Sequence, residues 1–304
     1  MNARAAAAGE GRGEPRGFAC LLLVLATLFW SGNFVLGQAM STSIPPLTMS
    51  YWRWQVALLL LLPFALGGMR REWGLIRAHL PRLALLGVAL FNTCVYIGLQ
   101  STTAINALLI NSAIPVWIML LAMSFIREPV TGRNLAGVLF SLCGVVYLIV
   151  RGELGLLLRL DPNTGDLWIL AATLAWAVYS LLLRRWKPAA LSPISFLTFT
   201  MLVGVALLGA LHWSGVTGEA PIIWGRGELI SIGYFALFPS LVSFICWNEG
   251  VARVGAPTAG HFIHLMPLFG TLLSVLLLGE RVLPYHLVGA ALIGTGILVS
   301  LKRS

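Results

Sequence analysis

Two widely separated apolar stretches each carry an aromatic residue with a polar-tipped partner three positions on: Trp30 with Asn33, and Trp176 with Tyr179. At that spacing both members of a pair share one helix face. Two such faces could line a cavity for an aromatic or apolar metabolite. The competing use is the belt of aromatics at a membrane interface, but Trp30 and Trp176 fall near the middle of their stretches. Arg53 is the basic residue well inside an apolar stretch, about 10 Å along its helix from Pro46 at 1.5 Å per residue. It could anchor a substrate carboxylate, bond backbone carbonyls, or snorkel to the interface. Tyr96 and the amides of Gln100, Asn111 and Asn248 could bond a zwitterion or glue helices together. His261 and His264 also share a face, but no further ligands stand near enough in sequence for a metal site. A histidine relay and a satisfied core histidine remain open there, and His264 could line the cavity.

The elements that position these residues follow from composition. Of 304 residues, 58% are apolar and 10% charged, with a net charge of +9 and a mean hydropathy of +0.88. A soluble domain carries about 25% charged residues, so the chain is an integral membrane protein. That excludes a cytosolic enzyme, a disulfide scaffold and a nucleic-acid-binding domain. The four cysteines (Cys20, Cys94, Cys143 and Cys246) are far apart in apolar stretches and read as small core residues. No metal or cofactor is implied.

A membrane helix needs about 20 apolar residues. The uncharged runs then give ten helices, near 17–40, 46–66, 81–101, 104–126, 131–150, 165–185, 193–212, 228–252, 256–278 and 283–301. Pro45-Pro46 separates the first two, since proline suits a helix start and not its interior. Residues 1–16 read as a disordered tail, and 151–164 as a linker. With the N-terminus inside, fifteen Lys/Arg fall on the cytoplasmic side and four outside, so both termini are expected in the cytoplasm. Arginine outnumbers lysine 18 to 2, which points to a GC-rich bacterial genome and its cytoplasmic membrane.

The two halves match each other. At an offset of 152, Cys94, Gly98, Ala104, Ala107, Pro115, Glu128, Gly137 and Gly144 meet Cys246, Gly250, Ala256, Ala259, Pro267, Glu280, Gly289 and Gly296. Trp30 meets Trp176 at 146, and Pro46 meets Pro193 at 147. Each half holds five helices, an odd number, so the second must be inverted. Inverted repeats mark secondary transporters with a substrate site near the midplane. Gly32, Gly98, Pro115, Pro239 and Pro267 are where helices could bend.

Tyr96-Ile-Gly98-Leu, Ala104-Ile-Asn-Ala107, Pro115-Val, Arg127-Glu128 and Gly137…Gly144, with their second copy from Asn248 to Gly296, resemble the EamA repeat of the drug/metabolite transporter superfamily. The resemblance runs from about 17 to 301, and within the superfamily it is nearest the YddG-type exporters of aromatic amino acids. It implies two EamA-like repeats, 17–150 and 165–301, with helices one to four and six to nine around a central cavity.

The fold expectation is thus all-α: ten transmembrane helices as two inverted five-helix repeats around a central cavity. The functional expectation is a secondary transporter in the lipid bilayer, exporting neutral or zwitterionic metabolites, aromatic or other apolar amino acids above all, by alternating access. Its expected cavity is lined by Trp30, Asn33, Tyr96, Asn111, Trp176, Tyr179 and His264, with Arg53 as carboxylate anchor. No nucleic acid partner and a monomeric state are expected. The alternative is a multidrug or other metabolite exporter of the same fold. No carboxylate lies deep in a span to bind lipophilic cations, and no GxSxG or HExxH motif supports an intramembrane enzyme.

Overall fold

In hydrocarbon every backbone amide must bond within its own segment, so an apolar chain of this kind folds as helices. The computed structural model describes residues 16–75, 79–126, 131–153, 155, 163–278 and 283–301. The helical segments are α1 (Arg16–Ala39), α2 (Pro46–Glu72), α3 (Leu80–Gly98), α4 (104–126), α5 (Gly132–Ile149), α6 (Thr164–Trp186), α7 (Pro193–Ser214), α8 (Arg226–Val254), α9 (256–278) and α10 (Pro284–Leu301). Among the described residues, nine helices are long and apolar enough to cross a membrane. The remaining segment, α9, is split by a tight turn at His261–His264. The 1–15 tail, Arg127, Glu128, Glu280 and most of the 151–164 linker lie outside the described residues.

Local chemistry sets the helix ends. Pro46 and Pro193 open α2 and α7, where a missing N–H costs nothing. Thr103, Thr131 and Ser192 accept from the amides of Asn106, Asn134 and Ser195, and Asn163 with Asp166 forms a reciprocal capping box. Gly255, at φ 83°, makes the turn between α8 and α9. Helix α2 runs on to Glu72, past the expected end at 66. Arg70 and Arg71 form its last turn, where cations suit the negative end of the helix dipole. Cys143 is exposed on α5 and is not a core residue as expected, whereas Cys94 and Cys246 are buried.

Four helices break regular geometry, and they do so in matched places. Wide π-type turns interrupt α3 at Leu85–Leu90 and α8 at Ala236–Val242, around Pro239. Helix α4 breaks at Ser112 and Ala113, just before Pro115, and α9 breaks just before Pro267. Such interruptions concentrate at functional sites.

Helix α1 packs on α8 and α9, α6 packs on α3 and α4, α2 packs on α7, and α5 packs on α10. The α5–α10 contact is a backbone approach made by glycines. A Cβ on Gly137 would stand 2.7 Å from the Gly296 carbonyl oxygen, and one on Gly144 would stand 2.9 Å from that of Gly289. Close glycine packing is the usual way for membrane helices to gain dispersion contacts. Gly296→Ala should therefore cost about 1–3 kcal/mol by overpacking. Gly294→Ala, whose added carbon meets nothing within 4 Å, should be neutral or stabilising. Melting temperatures of the two variants in detergent test the contrast.

Candidate functional site

Arg53 sits on α2, 1% exposed. It neither snorkels nor relies on backbone carbonyls. Its Nε donates to Ser240 Oγ of α8 at 2.8 Å, and its Nη1 donates to Asn33 Oδ1 of α1 at 2.9 Å, to Asn92 Oδ1 of α3 at 3.0 Å, and to the Tyr96 hydroxyl of α3. Ser240 falls within the π-type turn of α8. All four partners are neutral, and among the described residues no carboxylate pairs with this guanidinium. A buried cation without a counter-ion is costly.

Beside it lies an aromatic cluster. The rings of Trp30 and Trp176 meet edge-on at 5.0 Å between centroids, and Trp247 lies 5.4 and 5.7 Å from them. Phe244 touches Trp30, Trp176, Tyr179 and Trp54, and Trp54 in turn lies under the Arg53 guanidinium at 5.3 Å. The Trp30 indole N–H donates to the Pro239 carbonyl at 3.0 Å. The indole nitrogens of Trp54, Trp176 and Trp247 are buried without a hydrogen-bond partner.

Two asparagine–tyrosine bonds flank the cluster. Tyr96 donates to Asn33 Oδ1 at 2.9 Å, joining α3 to α1, and Tyr179 donates to Asn248 Oδ1 at 2.8 Å, joining α6 to α8. The repeat offsets of 146 and 152 carry Asn33 to Tyr179 and Tyr96 to Asn248. The same bond thus occurs in each half with donor and acceptor exchanged. Arg53 reinforces the first pair, while the Asn248 amide nitrogen of the second has no partner. Tyr96→Phe gives up the bond to Asn33 and the one accepted from Arg53, whereas Tyr179→Phe gives up a single neutral bond, so the first should cost more stability by about 1 kcal/mol, in thermal unfolding of the two purified variants.

The structure thus brings Trp30, Asn33, Arg53, Tyr96, Trp176 and Tyr179 together. Asn111 and His264 bond elsewhere. Asn111 donates to the Met266 sulfur at 3.3 Å. His264 faces Ser112 of α4 and Ser141 of α5. The Ser112 carbonyl can only accept, so Nε2 carries the proton and donates to it at 3.0 Å, leaving Nδ1 to the Ser141 hydroxyl. His261 is fully buried, with no hydrogen-bond partner on either ring nitrogen. Gly32 lies in unbroken helix and Gly98 ends α3, each pressed against a neighbour, Tyr234 and Ile169 respectively. Asn92, Ser240, Trp247 and Phe244 complete the site. Asn92 stands one turn before Tyr96 on the same face, a spacing that could have announced it. Phe244 stands in the same relation to Asn248, and the offset of 152 carries Asn92 to it, whereas Ser240 has no such signal.

The EamA-like transporter family matches this chain twice, over residues 17–150 and 163–302. The chain belongs to that family. Curated relatives include an uncharacterized transporter, YyaM, of Bacillus subtilis, 25% identical with 92% of each chain covered. A probable terminal-alkyne amino-acid exporter of Streptantibioticus cattleyicolor is 27% identical over 74% of each chain. An S-adenosylmethionine/S-adenosylhomocysteine transporter of Chlamydia trachomatis is 28% identical over 88% of this chain and 84% of the relative. One crystal structure aligns with a TM-score of 0.73 at 21% identity, covering 93% of this chain and 96% of that one. That likeness speaks for the fold. The EamA-like assignment makes this a multi-pass membrane transporter.

Proposed function

We propose that this EamA-like protein exports small zwitterionic metabolites, aromatic or other apolar amino acids above all, by alternating access between two inverted five-helix halves. One observation carries the reading: a buried guanidinium with no carboxylate partner among the described residues abuts an aromatic cluster drawn from both halves. A carboxylate answers Arg53, and an apolar or aromatic side chain answers the indoles. A buried positive charge disfavours lipophilic cations, which weighs against a multidrug substrate. The substrates for which two relatives are named agree in chemistry, since an alkyne amino acid and S-adenosylmethionine both carry an amino-acid end.

Contact pairs support the inversion. Gly98 lies against Ile169, and its repeat mate Gly250 lies against Leu23, the residue that an offset of 146 carries to 169. Gly137 meets Gly296 while Gly144 meets Gly289, which is the same contact under exchange of halves. Trp30 and Trp176, themselves repeat mates, then meet across the axis. Their rings touch, so the halves must part for substrate to enter between them. The paired breaks in α3 and α8, and in α4 and α9, supply bending points. The arginine-rich loops favour an orientation with both termini in the cytoplasm, which fits an exporter of a bacterial inner membrane.

Efflux from proteoliposomes loaded with radiolabelled phenylalanine or tryptophan, with and without a pH gradient, tests this. Saturable efflux competed by other aromatic amino acids is expected, unchanged by the gradient because no carboxylate lies in the cluster. No efflux above empty liposomes from folded protein would discard the substrate class.

A further inference from the structure

Helix α2 starts without a side-chain cap of its own. Its cap comes from the other half: Glu219, in the loop after α7, accepts from the amides of Leu47 at 2.8 Å and Thr48 at 2.9 Å, and from the Thr48 hydroxyl at 3.0 Å. At the opposite end of α2, Glu72 reaches the start of α7. There its carboxylate accepts from the Ser192 amide at 3.1 Å and the Ser192 hydroxyl at 3.0 Å. The offset of 147 that carries Pro46 to Pro193 also carries Glu72 to Glu219. Each half thus lends one carboxylate to the positive N-terminal end of the other half's second helix. The two contacts lie at opposite ends of the antiparallel pair α2 and α7.

Each contact borders a cleft. One of 470 Å³ beside Glu219 is lined by Pro46, Leu47, Thr93, Gln100 and Glu219. One of 570 Å³ at the start of α7 is lined by Lys187, Leu191, Ser192, Pro193 and Glu249. Pro46 and Pro193, which border them, are repeat mates.

We propose that Glu219 and Glu72 are a matched pair of gate latches, one per membrane face, and that opening to either side releases one latch and keeps the other. This rests on the alternating-access reading. With both latches made, the aromatic rings are in contact and the halves are held together at both ends. Breaking the Glu72 latch frees α7 from α2 at the cytoplasmic end, and breaking the Glu219 latch frees them at the other end. Both carboxylates are half-buried at the rims of the protein, where water can replace a lost bond, so a latch can open and close without a large barrier.

The test measures distances at each face. In a background free of the four cysteines, spin labels at Arg71→Cys and Ala190→Cys report the Glu72 end, and labels at Thr42→Cys and Val216→Cys report the other. All four positions are exposed. With the full-length protein in lipid nanodiscs, Glu72→Ala should lengthen or broaden only the first distance, and Glu219→Ala only the second. Glu72→Gln and Glu219→Gln keep one acceptor oxygen and should give the same pattern at smaller amplitude. They carry the test if an alanine variant fails to fold. Unchanged distances, or a variant that moves both faces alike, overturn the latch. The measurement needs no substrate, so its failure leaves the amino acid assignment standing. Absent efflux with face-selective shifts would instead discard the substrate and keep the latch.

Discussion

Replacing Arg53 with methionine should lower amino acid efflux by about 30-fold or more, because a desolvated charge partner of a carboxylate is worth about 2–5 kcal/mol. Methionine fills the volume and removes five donors. Asn92 Oδ1 and the Ser240 hydroxyl lose their guanidinium partner, while Asn33 still accepts from Tyr96. Loss of these bonds lowers stability by about 1 kcal/mol each in a membrane core. Two companions separate binding from stability. Arg53→Lys keeps the charge, but a single ammonium cannot serve partners on α1, α3 and α8 from one planar fork, so it should retain part of the transport. Arg53→Gln removes the charge but keeps hydrogen bonding, so it should fold nearly as well as the native protein and transport as poorly as the methionine variant. Wild-type efflux from the methionine variant, in liposomes with matched protein content, would remove Arg53 from the substrate site and leave it a structural cross-link.

Apolar runs and prolines placed the helices because bilayer thickness and backbone bonding leave a chain few choices. Helix α2 outruns its apolar stretch to Glu72, and a charged last turn is invisible to hydropathy. Trp30, Asn33, Trp176 and Tyr179 could be grouped in advance because a spacing of three and a repeat offset both survive in one dimension. Arg53 could be flagged but not assigned, since its use depends on side chains that α1, α3 and α8 bring to it. Asn111 and His264 are equivalent to the others in sequence, yet their bonding depends on helix rotation, which sequence spacing leaves open. Glu72 and Glu219 look like ordinary loop-side charges until the offset of 147 is applied to them. Only the hydrogen bonds show what the match is for.

Trp30→Ala and Trp176→Ala should each reduce efflux by about tenfold or more while leaving membrane insertion intact. Removing a buried indole costs about 3–5 kcal/mol in a packed core, and both rings stand where the two halves touch. The pair is matched by the repeat but not in bonding, and that asymmetry makes the stronger test. Trp30 holds the Pro239 carbonyl, an acceptor within the π-type turn of α8. The Trp176 indole N–H has no partner. Trp176→Phe therefore gives up ring area but no hydrogen bond, and should retain most of the transport. Trp30→Phe leaves the Pro239 carbonyl unpaired where α8 must bend, so it should impair efflux further than Trp176→Phe. If the rings only fill space, the two phenylalanine variants will behave alike. If they form the substrate wall, the alanine variants should also lose discrimination between tryptophan and smaller apolar amino acids, because the ring that a substrate indole stacks on is gone. Native rates and native selectivity in both alanine variants would move the substrate away from this cluster altogether.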